Sequence, residues 1–496
     1  MIPFTNLPEN IRVPLFYAEL DASQANSAQL NQRTLIIGQM TDAGTGEPGT
    51  PVISAGVGDA RARWGSNSML AAMTAAYRAA DSFGEVWYLP LEDATGAVAA
   101  SGTVTLNIEA DASVSGVISL YIAGRRYQLP VQATQGAADI AEALATLVAA
   151  DAFGLVSASA QDNVVTLTAI NAGMAGNEID VRLNYGGSRA GESTPLNLDI
   201  AIAPMAGGAI NPTDTLQTAL DNCGDMPFDF IVCPYTDSVS LDALHTFLND
   251  QTGRWSWSQQ IYGHAFAAYR GTLAACTTFG AGRNNQHESV LGFHDSPTPA
   301  WIIAAQLAGS IAPALRNDPG RPVQTLPIHG MLAPPVASRF LLTERNTLLY
   351  DGISTFNVGD DGTCYAENIT TTYQKNPWGD PDDSYLEVET MYLLMYVLRA
   401  LRSMVTSKYS RMKLAADGTR FASGSAIVTP LLIRADVIAR YQELEFDGYV
   451  QNSALFARQL IVEQNAHNPN RVDCLWPGTL IDQLRIFALL AQFRLS

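Results

Sequence analysis

The sequence predicts a multidomain α/β (α+β) protein with a mixed-sheet core, extended strand-like arms at both ends and an inserted β-rich domain. Three observations predict it. Strand and helix patterns alternate early in the chain and resume after an interruption of roughly a hundred residues. The interruption has its own composition, rich in Ala, Gly, Thr, Val and Ser. Both ends carry extended apolar segments whose patterns suit strands better than amphipathic helices. A chain of 496 residues exceeds one typical core, so about two to four domains are expected.

Residues 1–32 read as an arm and a linker. In 11–20, Ile11, Val13, Leu15, Phe16 and Tyr17 supply the apolar side chains, and Pro14 confines the segment to a sheet edge because it has no N–H to donate. Residues 21–32 are polar, as a linker would be. Residues 34–40 read as a buried strand. Residues 66–80 read as a helix, with Leu70, Met73, Ala76, Tyr77 and Ala80 on one face and Ser66 or Asn67 as cap. Residues 85–91 form a second strand. The insertion follows at 95–204, with strands at 102–108, 116–122, 164–169 and 179–183 and a helix at 137–150. The α/β pattern resumes with a strand at 228–234 and a helix at 241–249 capped by Ser240.

The C-terminal quarter predicts helices over 385–408 and 430–445. Ser384 and Glu387 are spaced as a capping box for the first. Strand-like segments follow at 457–463 and 471–476, carrying Leu460, Val462, Val472 and Leu475. In the tail, 483–496, Leu484, Ile486 and Leu490 alternate with Phe487, Leu489 and Phe493, so a strand here has two largely apolar faces and must be covered on both. The expected division is 1–32 arm and linker, 33–94 with 205–375 α/β domain, 95–204 insertion, 376–476 C-terminal core and 477–496 arm.

Charge and motifs limit the chemistry. Charged residues make up 16%, against about 25% in typical soluble domains, which suits a chain that buries surface against partners. A net charge of −19 repels phosphate and argues against nucleic-acid binding. Five cysteines, an odd number with no CxxC, argue against zinc and a disulfide scaffold. MIPFTNLPEN has neither a basic nor an apolar leader region, and apolar runs are short, so a soluble protein made in a cytoplasm and without direct membrane binding is expected. Gly44, Gly46 and Gly49 match GxGxxG, but Pro48 and Pro51 interrupt, and the segment reads as a surface loop rather than a dinucleotide site. Asp380, Asp382 and Asp383 read as acids complementing the dipole of the next helix rather than as a cation site. Asp360 and Asp361 read as a hairpin turn. His287 and His294 are not at zinc spacing, and no GxSxG or phosphate loop occurs. No catalytic residue, cofactor or metal is expected.

Several segments in order carry a resemblance: IRVPLFYAELDASQANS (11–27), FIVCPYTDSVSLDAL (230–244), ERNTLLYDGIST (344–355), ITTTYQKNPWGDPDDSYLEVET (369–390), TPLLIRADVIARYQELE (429–445) and NPNRVDCLWPGTLIDQLRIFALLAQFRL (468–495). The chain resembles tail sheath proteins of Mu-like contractile phages over nearly its whole length. The resemblance implies a sheath core of conserved N- and C-terminal segments with variable domains outside. It implies a helical polymer of stacked hexameric rings around a tail tube, joined by strand exchange and contracting from a metastable extended state to drive the tube through the host envelope. The arms would be the segments around Ile11–Tyr17 and Leu484–Phe493, received by the strands of Leu460, Val462, Val472 and Leu475. Implied partners are other copies, the tube, baseplate and terminator proteins, in a virion assembled in the host bacterial cytoplasm. The competing readings are another tail or baseplate structural protein and an α/β hydrolase, which a convergent polar pocket would distinguish.

Overall fold

Six consecutive buried side chains in Thr34–Gln39 leave no polar face, the pattern of a strand covered on both sides. The computed structural model describes residues 32–108 and 115–494. In it, this strand lies inside a six-stranded sheet ordered Glu288–Phe293, His264–Arg270, Phe230–Val232, Thr34–Gln39, Val86–Leu91, Val52–Ile53. All neighbours run parallel except the last pair. Helices Met69–Ala80 and Ala300–Asn317 pack on each other and on this sheet. The architecture is mixed α/β, as the alternation predicted. The N-terminal arm residues Ile11, Val13, Leu15, Phe16 and Tyr17 lie outside the described residues.

The chain separates into two compact units, residues 32–396 with 480–494, and residues 397–479. Within the first, residues 101–206 form a four-stranded antiparallel sheet (Leu198–Ala206, Ser101–Ile108, Val164–Ala169, Val156–Gln161) and a three-stranded one (Arg125–Val131, Gly116–Ile122, Val181–Leu183). Helix Ala137–Ala149 packs against them. A separate hydrophobic cluster, including Val104, Leu120, Leu144 and Leu167, fills this segment. Its ends meet: Val98 and Ala209 exchange backbone hydrogen bonds of 3.1 Å in both directions.

Local details depart from the expectations where a side chain has a competing partner. The first helix is capped by Ser68, whose Oγ accepts from Ala71 N–H at 3.1 Å; Ser66 Oγ instead donates to Ala152 O. Helix Ser238–Leu248 is capped by Asp237, not Ser240. An unpredicted helix, Val57–Trp64, precedes the first. It holds the Gly44–Gly49 loop in place: Thr45 and Gly46 N–H donate to Arg63 O, and a Cβ on Gly46 would meet the Trp64 ring. Close packing explains Gly44 and Gly46, and a left-handed backbone (φ 76°) explains Gly49.

Helix Val388–Tyr409 starts three residues later than the capping box requires. Ser384 is turned onto Asp382 (Oγ to Oδ1 2.6 Å), and Glu387 pairs with Arg485. The acids at 380–383 therefore do not sit at the helix N-terminus. Asp382 also accepts from Tyr373 Oη at 2.7 Å. The turn at Asp360 and Asp361 joins the antiparallel strands Thr355–Val358 and Cys364–Asn368 as expected. All five cysteines are free, and burial pushes Cys223, Cys233, Cys276 and Cys364 up to about 12.

In the second unit, helix Pro430–Phe446 is capped by Thr429, and Tyr441 stacks on Phe456 with centroids 3.7 Å apart. Residues 457–463 are not one strand. Helix Ser453–Gln459 occupies the first part, and Leu460 ends it, buried at 3% exposure. The apolar pattern of this short stretch fits helix and strand alike, and packing of Phe456 on Tyr441 selects helix. Leu460 is thus corrected from a strand position to a buried helix end. The strands are Ile461–Gln464 and Val472–Leu475.

Candidate assembly surfaces

The root of the C-terminal tail is fixed by charge. Arg485 Nη2 donates to Glu387 Oε2 at 2.9 Å and to Glu389 Oε2 at 2.7 Å. Glu389 is fully buried, and its other oxygen accepts from Val323 N–H at 2.7 Å. Burial pushes both carboxyls above their ordinary range, and the Arg485 guanidinium opposes that rise.

Beyond this clasp the tail makes no ladder among the described residues. Leu484, Ile486, Phe487, Leu489, Leu490 and Phe493 are 72–84% exposed. Scattered exposed apolar residues are ordinary, but a contiguous apolar extension marks a surface that another body covers.

The sheet expected to receive an arm has two strands among the described residues. They pair antiparallel, with Ile461 opposite Leu475, Val462 opposite Cys474 and Gln464 opposite Val472. Ile461 and Leu475 are 50% and 61% exposed; Val462 and Val472 are half-buried. Neither outer edge has a ladder partner among the described residues, so both present main-chain donors and acceptors.

One surface was not anticipated. A cleft of about 880 Å³ opens beside the tail root, walled by helix Leu342–Tyr350, the 367–374 segment, residues 381–387 and Ile486. Arg345 Nε bonds Glu367 Oε2 at 2.7 Å along one side. Leu342 and Tyr350 project into solvent at 73% and 80% exposure, while Leu348 of the same helix is buried. The signal was present in LTERNTLLY, whose apolar residues do not all fit one helical face. Among the described residues no group of three or more His, Cys, Asp or Glu is placed to hold a metal ion, and no helix is long and apolar enough to cross a membrane.

A multi-sheet α/β body carrying an uncovered apolar tail has the make-up of a structural protein in a larger particle. Comparison with known proteins agrees. Residues 208–371 match the phage tail sheath protein central domain, and 380–494 match the phage tail sheath C-terminal domain. The chain is 40% identical over 494 residues to the Mu-like prophage FluMu tail sheath protein of Haemophilus influenzae, covering 99% of each. It belongs to the phage tail sheath family, and it is a structural protein of a phage tail. Solved structures similar to it include the sheath tail protein from Desulfitobacterium hafniense, at 14% identity and TM-score 0.49 over 95% of this chain and 97% of that one. Another is a sheath tail protein from Listeria innocua, at 12% identity and TM-score 0.48 over 93% and 94%.

Proposed function

We propose that the chain polymerises helically around a tail tube through exchange of its terminal arms, and that the polymer contracts from a metastable extended state. The observation that carries this reading is the tail: clasped at Arg485, then apolar and exposed from Ile486 to Phe493. Burying each such large side chain is worth about 1.5–3 kcal/mol, so a partner that covers the tail is strongly favoured.

The open edges of Ile461–Gln464 and Val472–Leu475 offer the main-chain groups that strand addition uses. Val462, Val472 and Leu475 would then contact the incoming arm. The N-terminal segment carrying Ile11, Val13, Leu15, Phe16 and Tyr17 is the second tether. A head-to-tail joint gives a ring where its rotation closes and a helical filament where it does not. Stacked hexameric rings are the proposed form, with tube, baseplate and terminator proteins as the other partners. Assembly takes place in the host bacterial cytoplasm, and contraction drives the tube through the host envelope. The arms act as hinged tethers while the bodies rearrange, with no nucleotide consumed.

Two variants test this. Truncation after Arg485 keeps the clasp and removes the apolar extension. Leu489→Asp puts an unpaired charge into the joint. Both should give a folded monomer with unchanged circular dichroism and no striated tubes in electron micrographs. Tubes formed by either variant, or outright unfolding of both, would refute arm exchange.

A further inference from the structure

We propose that the first turn of helix Val388–Tyr409 is a common anchor that couples the roots of the two terminal segments, so that loosening one root loosens the other. The inference rests on the reading of those segments as tethers between copies. It adds a route by which strain on one tether crosses the body of the chain to the other.

Two side chains three positions apart hold the two roots. Glu389, fully buried, accepts from Arg485 Nη2 at 2.7 Å and from Val323 N–H at 2.7 Å, which fixes the root of the C-terminal tail. Tyr392, also fully buried, donates from Oη to Asp229 O at 3.0 Å and stacks on Phe230 with centroids 4.9 Å apart. Asp229 and Phe230 in turn hold the start of the first strand. Their N–H groups donate to Arg33 O at 2.9 Å and 3.1 Å, and Arg33 N–H donates to Asp229 Oδ2 at 3.3 Å. Arg316 closes the same side. Its guanidinium lies 5.2 Å from the Phe230 ring centroid, and its Nε donates to Gln32 O at 3.2 Å. Gln32 is where the N-terminal segment joins the body, so both roots are held from one helical turn.

Positions i and i+3 are neighbours on a helix surface, and a rise of about 1.5 Å per residue sets Glu389 and Tyr392 about 4.5 Å apart along the axis. A hydrogen-bonded turn does not stretch, and close-packed interiors transmit strain. A shift of Glu389 is therefore carried to Tyr392 and on to Asp229. Such a coupling is reciprocal, because it is a free energy shared by the two sites. The Tyr392 Oη bond is the link that can be cut alone. Asp229 O also accepts from His264 N–H at 3.0 Å, so Tyr392→Phe leaves that carbonyl paired and opens no cavity.

Hydrogen exchange of the full-length protein, followed amide by amide, tests this. Arg485→Met should speed exchange at the Asp229 and Phe230 amides about tenfold beyond any change at Ala267 and Val290, which are buried in the same sheet and report its general opening. Glu389→Gln, which weakens the same clasp without stranding a charge, should act in the same direction. From the other root, Arg316→Lys gives up the planar fork that serves Gln32, Asp81 and Tyr77 together. It should speed exchange at the Val323 amide relative to the same two references. Adding Tyr392→Phe should remove most of the excess in both directions, and Tyr392→Phe alone should leave the melting temperature nearly unchanged. Equal rises at all these amides would mean that only general stability has changed, and would refute the coupling. An excess that persists in full beside Tyr392→Phe refutes the route through this turn. Either refutation leaves arm exchange standing. Striated tubes from the chain truncated after Arg485 would instead sink the tether reading and leave the coupling within the chain as these rates measure it.

Discussion

Replacing Arg485 with Met should convert the tail clasp into a pH-dependent defect. In the native chain one guanidinium serves two carboxylates, at 2.9 Å and 2.7 Å. Its side chain is 15% exposed, against 21% for Glu387 and 0% for Glu389, so water replaces little of what Met removes. Breaking a buried pair by deleting one partner costs about 3–5 kcal/mol at neutral pH, because the remaining charge is uncompensated. The sign follows from burial. Both carboxyls already have folded-state values above their ordinary range because of burial, and the charge of Arg485 is the largest influence holding them down, with smaller help from Asn368 on Glu387 and from the Val323 N–H on Glu389. Without it they rise further, and the native state then binds protons more tightly than the unfolded state. The contribution of such groups is fully present below the unfolded carboxylate value of about 4.3 and is lost as pH rises through the folded values. Arg485→Met should therefore melt close to the native protein near pH 4 and fall behind progressively toward pH 7.5. With an unfolding entropy of about 2.1 cal/mol/K per residue, 3–5 kcal/mol spread over a unit of this size is a deficit of about 4–6 °C. Scanning calorimetry across this pH range measures it, and adding Glu389→Gln should recover part of the deficit at pH 7.5. A deficit of equal size at pH 4 and pH 7.5 would show that the clasp acts through packing rather than charge.

The proposal that residues 95–204 form a separable domain predicts that a short Gly/Ser linker joining Val98 to Ala209, already hydrogen-bonded neighbours, leaves one cooperative melting transition. The loss of Glu178 from Arg270 and of Arg182 from Asp295 should lower stability by about 1–3 kcal/mol, since Arg270 keeps the Ser296 and Thr298 carbonyls; absence of any transition would refute separability. His264 is fully buried, with Nε2 2.9 Å from Ser289 Oγ, and burial, aided by His287, holds its folded-state value well below the usual one. The unfolded state therefore takes up the proton first, and stability should fall as pH drops below about 6.5, by up to about 1.4 kcal/mol per pH unit. His264→Gln should flatten that limb in urea titrations, and an unchanged slope would show that other groups carry it.

Much of this protein was legible in its sequence because the relevant forces are local or summed over many residues. The largely apolar run at 34–40 and the alternation with 66–80 and 85–91 point to a buried strand, a helix and another strand. The family was legible too, since segments in order do not depend on knowing which side chains meet. The tail's need for cover was legible from two apolar faces without a polar one, but the strand read there is absent: residues 483–494 form no strand. Contacts between distant residues were not legible. Ser384 and Glu387 have the spacing of a capping box, yet Glu387 is taken by Arg485, 98 positions away, and Ser384 by Asp382. Leu460 sits in an apolar stretch too short for its period to separate strand from helix, and the stacking of Phe456 on Tyr441 chose. The cleft joins helix Leu342–Tyr350, the 367–374 segment and the tail root, which only the folded chain brings together. Local propensity sets which elements are available, but a side chain with two eligible partners goes where burial makes the loss of the other cheapest, and that choice is made in three dimensions.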